Sequence, residues 1–138
     1  MFDYCLYFNT SALARRLERE WTEAFAPFAL TAPQAFMLRA VLERPGMLQS
    51  ELSKELSIAR ATATRALDGL EAKKYIARSS TARDGREVSI RPTALAIQLK
   101  DALNDASGAV TARLKAALGS AAFSSTVSKL RGARLALS

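Results

Sequence analysis

Three observations predict a mainly α fold with one small β-hairpin. Residues 49–93 read as a short amphipathic helix, a tight break, a second helix and a basic hairpin, the element order of a winged helix-turn-helix. Apolar residues at helical spacing flank this block on both sides, over about 3–26 and 94–136. The chain has 138 residues, 49% of them hydrophobic, which suits a single domain with its own core.

The first helix, about 3–26, is carried by Leu6, Leu13, Leu17, Trp21 and Phe25, with Arg15, Arg16, Glu18, Arg19 and Glu23 opposite, and Pro27 stops it. Thr31-Ala-Pro33-Gln34 is a helix start, with Thr31 as N-cap and Pro33 in the first turn. Phe36, Leu38, Val41 and Leu42 supply its apolar contacts, and Arg44-Pro45-Gly46 ends it. Met47-Leu48 is read as a short strand, and Ser50 as the cap of a helix over about 51–56 with Leu52 and Leu56 inward. Ser57-Ile58-Ala59 makes the turn into a helix over roughly 60–73. There Ala63, Ala66, Leu67 and Leu70 share one face, Arg60, Ala61, Thr64, Arg65 and Asp68 lie on or near the other, and Thr62 is at the boundary. Tyr75–Ser79 and Glu87–Arg91 alternate as two strands around a turn holding Asp84-Gly85, a hairpin signal. Thr93 caps a long helix whose seam is Leu99, Leu103, Ala106, Val110, Leu114 and Ala117. Gly119-Ser120 breaks it, and a last helix over about 121–136 carries Phe123, Val127, Leu130 and Leu135.

Charge is unevenly placed. The chain carries 20 basic and 13 acidic residues, a net +7. Residues 1–53 are net −1, whereas 54–91 and 92–138 are each net +4, so the positive charge begins with the helix-turn-helix block. A basic excess of this kind suits a polyanion. Cys5 is the only cysteine, which rules out an intrachain disulfide and fits a reducing compartment. Histidine is absent, removing Ser-His-Asp and Cys-His catalysis and the usual zinc sites. With no clustered carboxylates and no phosphate-binding Gly loop, the reading is a protein that is not an enzyme and needs no metal or cofactor. No apolar run approaches the roughly 18 residues of a membrane span and no signal pattern opens the chain, so the expected location is the cytoplasm.

On the second helix of the block, Arg60, Ala61, Thr62, Thr64 and Arg65 are the candidate contacts to double-stranded DNA. An exposed arginine on a helix is ordinarily a solvated charge; here two arginines accompany two hydroxyls on the helix that such modules lay in the major groove. Arg65 has the fork that matches guanine O6/N7, while the threonines offer a hydroxyl to phosphate or base edges and a methyl to thymine. Ala61 permits close approach. In the hairpin turn, Arg83 and Arg86 flank Asp84-Gly85, and Arg86 is expected to enter the minor groove, which attracts guanidinium where it is narrow. Lys54, Lys73, Lys74, Arg78 and Arg91 are expected to add electrostatic attraction.

These residues carry a resemblance. Thr62-Ala63-Thr64-Arg65 followed by Asp68-Gly-Leu70-Glu71 and Lys73, then Asp84-Gly-Arg86 with Pro92-Thr93, resemble the MarR family of bacterial transcriptional regulators. Leu30-Thr31-Ala-Pro33-Gln34 and Gln49-Ser-Glu51-Leu52 extend the likeness over nearly the whole chain. The resemblance implies a homodimer, acting as a repressor on a pseudo-palindromic operator, relieved by a small effector or by oxidation. It implies dimerisation helices at 1–29 and 94–138 and a DNA-binding module at 30–93, within one domain of 1–138. It also implies that Asp84 orients a neighbouring arginine. An effector pocket between the dimer helices and the winged module draws on Trp21, Phe25, Phe28, Phe36, Met37 and Arg39, with a basic residue to hold an aromatic or anionic ligand; the same aromatics at helical spacing are also what a plain core requires. Cys5 is read either as a small buried hydrophobe of the dimer helix or as a peroxide-sensing thiol with Tyr4 and Tyr7 nearby. A winged-helix protein-interaction module is the remaining alternative. The chain departs from the family pattern at Ala59, where a serine cap is common and Ser57 is the substitute, at Lys74, where a glycine usually turns the chain, and at Ala66 and Gly69, where bulkier residues are usual.

Overall fold

A computed structural model describes residues 1–80 and 87–138. Helix α1 spans Leu6–Phe25, beginning later than the spacing predicts, with Cys5 at its N-cap and no side-chain cap. Pro27 lies in a 3-10 turn, Ala26–Phe28, which ends on Ala29 in the left-handed region (φ 57°). Helix α2, Ala32–Glu43, starts at a complete capping box: the Gln34 amide donates to Thr31 Oγ1 at 3.3 Å, and Gln34 Oε1 accepts from the Thr31 amide at 3.1 Å. Beyond its end the chain turns at Gly46, whose φ of 89° favours glycine and whose amide donates to the Ile90 carbonyl.

Strand β1, Met47–Leu48, leads into α3, Gln49–Glu55. Ser50 does not cap α3: the helix starts two residues before the sequence reading, and Glu51 instead reaches back to accept from the Leu48 amide at 3.4 Å. Helix α4 is Arg60–Ala72 with Ala59 at its N-cap. Ser57 does not substitute for the missing cap, because the turn holds it at φ 54°, three residues before α4, and its Oγ accepts from Arg134 at 3.3 Å. Lys74 adopts φ 64°, so the exit from α4 is as sharply turned as a glycine would make it. The Tyr75 amide closes that turn on the Leu70 carbonyl, leaving the strand to begin one residue later.

Strands β2, Ile76–Ser80, and β3, Val88–Pro92, each lie one residue beyond the alternation in sequence. Among the described residues the sheet has the order β1-β3-β2, all antiparallel, with Ile76 opposite Pro92, Ser80 opposite Val88 and Met47 opposite Ile90. Helix α5, Ala94–Leu118, is capped by Thr93, whose Oγ1 accepts from the Ala96 amide and donates to the Lys74 carbonyl at 2.7 Å, tying the long helix to the end of α4. Helix α6 is Ser120–Ala136. Among the described residues no single helix is long and apolar enough to cross a membrane.

The core joins all of these except α6. Phe25, Met37, Leu38, Leu52, Leu67, Leu70, Ile90 and Leu103 are fully buried, each side chain contributing about 1.5–3 kcal/mol. The two ends of the chain differ. Leu6 and Leu13 on α1 are 67% and 40% exposed, and α6 buries no residue, with Val127 at 49% and Leu130 at 39%. The apolar stripes read in the sequence are real, but this chain alone does not cover them.

Candidate nucleic-acid interface and adjoining groove

Helix α4 is held against the core by its apolar face: Ala63, Ala66, Leu67 and Leu70 are buried. That packing leaves Arg60, Ala61 and Arg65 exposed together along the opposite face. The two threonines behave differently from each other. Thr62 is half-buried and turns toward a groove between α4, α1 and α2. Thr64 Oγ1 donates to the Arg60 carbonyl at 3.0 Å and accepts from Gln49 Nε2 at 2.9 Å. Its hydroxyl is thus engaged within the protein, and its methyl is the group without a polar partner. Gln49, at the start of α3, was not singled out as a site residue by the sequence. Its position at the start of α3 is readable in the sequence, but its bond to Thr64 on α4 is not.

Arg60 also borders a polar cleft of about 360 Å³, with Gln49, Ser50 and Ser53 on α3 and Glu87 and Val88 at the start of β3. Arg83, Asp84 and Arg86 lie outside the described residues. Two cations expected to be free are engaged. The Arg78 guanidinium on β2 donates to Asp68 at 2.7 Å and to Glu71 at 3.1 and 3.2 Å, bracing the wing strand against α4. This pairing lowers the Glu71 carboxyl below its ordinary value, chiefly through the Arg78 hydrogen bond, and raises Arg78. Lys73 Nζ donates to the Ala29 carbonyl and to Gln34 Oε1, joining the end of α4 to the start of α2. Lys54, Lys74 and Arg91 are exposed.

Behind α4 lies the groove, about 400 Å³. Leu17 and Trp21 of α1 form one wall, Pro33 and Phe36 of α2 another, Leu56 and Ile58 the end, and Thr62 and Ala66 of α4 the floor nearest the interface. Phe36 is 38% exposed because its ring faces this space instead of the core. Of the other residues read as pocket candidates, Phe25 and Met37 are fully buried in the core, and Phe28 packs half-buried against it. Phe25 meets Phe36 edge-on, centroids 6.1 Å apart, and so supports the groove from beneath.

Arg39 does not line the groove. Its Nε donates to Asn104 Oδ1 at 2.8 Å and its Nη1 to Ser107 Oγ at 2.9 Å, with the guanidinium 5.1 Å from the Phe36 ring centroid. Burial pulls the guanidinium below its ordinary value, with the Glu43 charge opposing. Trp21 Nε1 donates to the same Ser107 Oγ at 3.0 Å, so one buried hydroxyl joins α1, α2 and α5. Ser107 was missed in the sequence although it sits on the α5 seam: Leu103, Ser107 and Val110 are buried, and Ala106 only half so. Cys5 is exposed in this chain, so burial within the protomer is not its environment. Among the described residues neither Tyr4 nor Tyr7 donates to its thiol; the local bonds are from Asn9 Nδ2 to the Asp3 and Cys5 carbonyls.

Comparison with known proteins places this geometry. Residues 30–87, the span from α2 into the wing, match the model of the MarR family. Curated protein sequences gave no match. Among solved structures, a MarR protein from Peptoclostridium difficile superimposes with a TM-score of 0.86 at 18% identity, covering 98% of this chain and 88% of that one. A complex of S. aureus MepR with DNA gives 0.84 at 19% identity, covering 99% of this chain and 100% of that one. A MarR-family protein from Listeria monocytogenes, complexed with 26mer DNA, gives 0.81 at 21% identity, covering 96% and 88%. The winged module thus matches the MarR family model over residues 30–87, and the chain shares the winged-helix fold of these MarR structures along nearly its whole length.

Proposed function

We propose that this protein is a sequence-specific DNA-binding transcriptional regulator, a homodimer on a pseudo-palindromic operator, released by a small effector. One observation carries the reading: burial of one face of α4 leaves Arg60, Ala61 and Arg65 together on the other, with Thr64 held beside them. That is what a recognition helix offers a major groove, with arginine forks for guanine and a small residue for close approach. Two proteins of the same fold, MepR and the Listeria protein, were solved on DNA, which supports the reading. In it, residues 1–29 and 94–138 dimerise, 30–93 bind DNA, and Arg83 and Arg86 reach the backbone or minor groove with Asp84 orienting one of them. The exposed apolar stripes of α1 and α6 support the dimer. Two recognition helices would then sit about 34 Å apart, one turn of DNA.

The direct test is enrichment of duplex from a random library, followed by fluorescence anisotropy at two salt concentrations. Recovery of a palindrome bound at nanomolar, salt-sensitive affinity is the expected result. Weak binding blind to sequence would reject the reading and leave a protein-interaction module. Retained binding after stoichiometric peroxide would exclude redox control through Cys5.

A further inference from the structure

We infer that the groove between α1, α2 and α4 takes an aromatic ligand bearing a positive charge, rather than the anionic aromatic acid that the sequence suggested. The walls set the first half of this. Leu17, Trp21, Pro33, Phe36 and Ile58 are apolar or aromatic, and a space of about 400 Å³ lies within the range of about 300–1,000 Å³ usual for small-ligand sites. Charge sets the second half. Among the described residues lining the groove, Glu18 is the only one of a charged type. Arg39, the natural anchor for a carboxylate, does not line the groove and donates to Asn104 and Ser107 instead, with its guanidinium stacked on Phe36. An anion entering this space loses water, gains no donor of opposite charge and meets a carboxylate. A cation on an aromatic body gains the exposed Glu18 and the rings of Trp21 and Phe36, since aromatic faces attract positive charge.

The consequence for regulation rests on the regulator reading above. Thr62 and Ala66 belong both to the groove and to α4, so a ligand seated there touches the recognition helix from behind. Trp21 also holds Ser107 on α5. A ligand that favours one placement of α4 relative to α1 and α5 shifts the population of DNA-competent dimers.

The test uses three probes on one two-ring body: para-biphenylmethylamine, para-biphenylmethanol and para-biphenylcarboxylate, which are cationic, neutral and anionic near pH 7. Binding to the full chain is measured by calorimetry without DNA, with emission of Trp21, the chain's single tryptophan, as the local reporter. The amine is expected to bind about threefold to tenfold more tightly than the acid at low salt, because Glu18 is exposed and its attraction is screened. Glu18→Gln should bring the three probes close to equality, and Glu18→Lys should reverse their order. An acid that binds as well as the amine, a preference unchanged in Glu18→Gln, or no saturable change in Trp21 emission with any probe would each overturn the inference. Operator binding without ligand is measured separately, so failure of the groove and failure of the DNA reading give different results.

Discussion

At the residue scale, the proposed interface divides into side chains with free polar groups and side chains without them. Arg65 is exposed and no partner engages its guanidinium among the described residues, so Arg65→Ala is expected to weaken binding to an enriched operator by about 1–3 kcal/mol. An anisotropy titration that overlays wild type would remove Arg65 from the interface. Thr64 makes the opposite case. Its hydroxyl is engaged by Gln49 and the Arg60 carbonyl, leaving the methyl for contact with a base. Thr64→Ser, which deletes the methyl, should cost about 0.8 kcal/mol of operator affinity, the value of one buried methyl or methylene. Thr64→Val keeps that methyl and should bind nearly as wild type. The reverse order would mean that the hydroxyl leaves its protein partners on binding DNA.

At the element scale, α4 lacks a side-chain cap at its start and closes its end on a left-handed lysine where a glycine is usual. Ala59 has the extended φ and ψ of an N-cap, −67° and 150°, but no side-chain acceptor. Ala59→Ser should therefore stabilise the protein by about 1 kcal/mol, read as a raised denaturant midpoint with an unchanged slope. Lys74 is in the left-handed region, so Lys74→Gly should also stabilise, by up to about 1 kcal/mol, relief of strain being partly offset by the greater freedom of an unfolded glycine. What holds α4 is tertiary: Arg78 braces it from β2, Lys73 from the turn before α2, and Thr93 from the start of α5.

The Arg78 brace predicts a pH dependence. The Glu71 carboxyl is lowered on folding by the Arg78 hydrogen bond. A lowered carboxyl contributes stability above its unfolded value and loses it as pH falls through the folded one. The melting temperature of Arg78→Gln should therefore lie below wild type at neutral pH and converge on it as the pH falls below the carboxylate range. A gap independent of pH would mean that Arg78 acts through packing alone.

At the scale of the whole molecule, the chain has a complete core in its middle and incomplete burial at its ends. The winged module and the α5 seam at Ala96, Leu103 and Val110 bury most of their apolar residues, with Phe36, Leu95 and Ile97 left exposed; the start of α1 and all of α6 bury none. Pairing with a second copy is the arrangement that our functional reading uses to cover them. Leu130→Glu on α6 should then convert dimer to monomer in sedimentation and abolish cooperative operator binding. Helical circular dichroism should persist, since Leu130 is already 39% exposed in the protomer. A variant that remains dimeric would place the subunit contact elsewhere.

The sequence by itself determined the order and kind of nearly every element, because each is written locally. Apolar residues recur at helical spacing, Thr31 and Thr93 have the geometry of caps, and Gly46 and Gly119 stand where φ becomes positive. It also determined the face of α4, since Ala63, Ala66, Leu67 and Leu70 define the buried side by spacing alone. Which polar groups are free is set by the fold. Whether Arg78, Lys73, Arg39 and the Thr64 hydroxyl face solvent or a partner depends on residues far away in sequence, such as Gln34 for Lys73 or Ser107 for Arg39. Spacing records which side of a helix a residue occupies, but it does not record what that side meets. For that reason the basic residues were legible as charge, and their division between interface, brace and buried node required the fold.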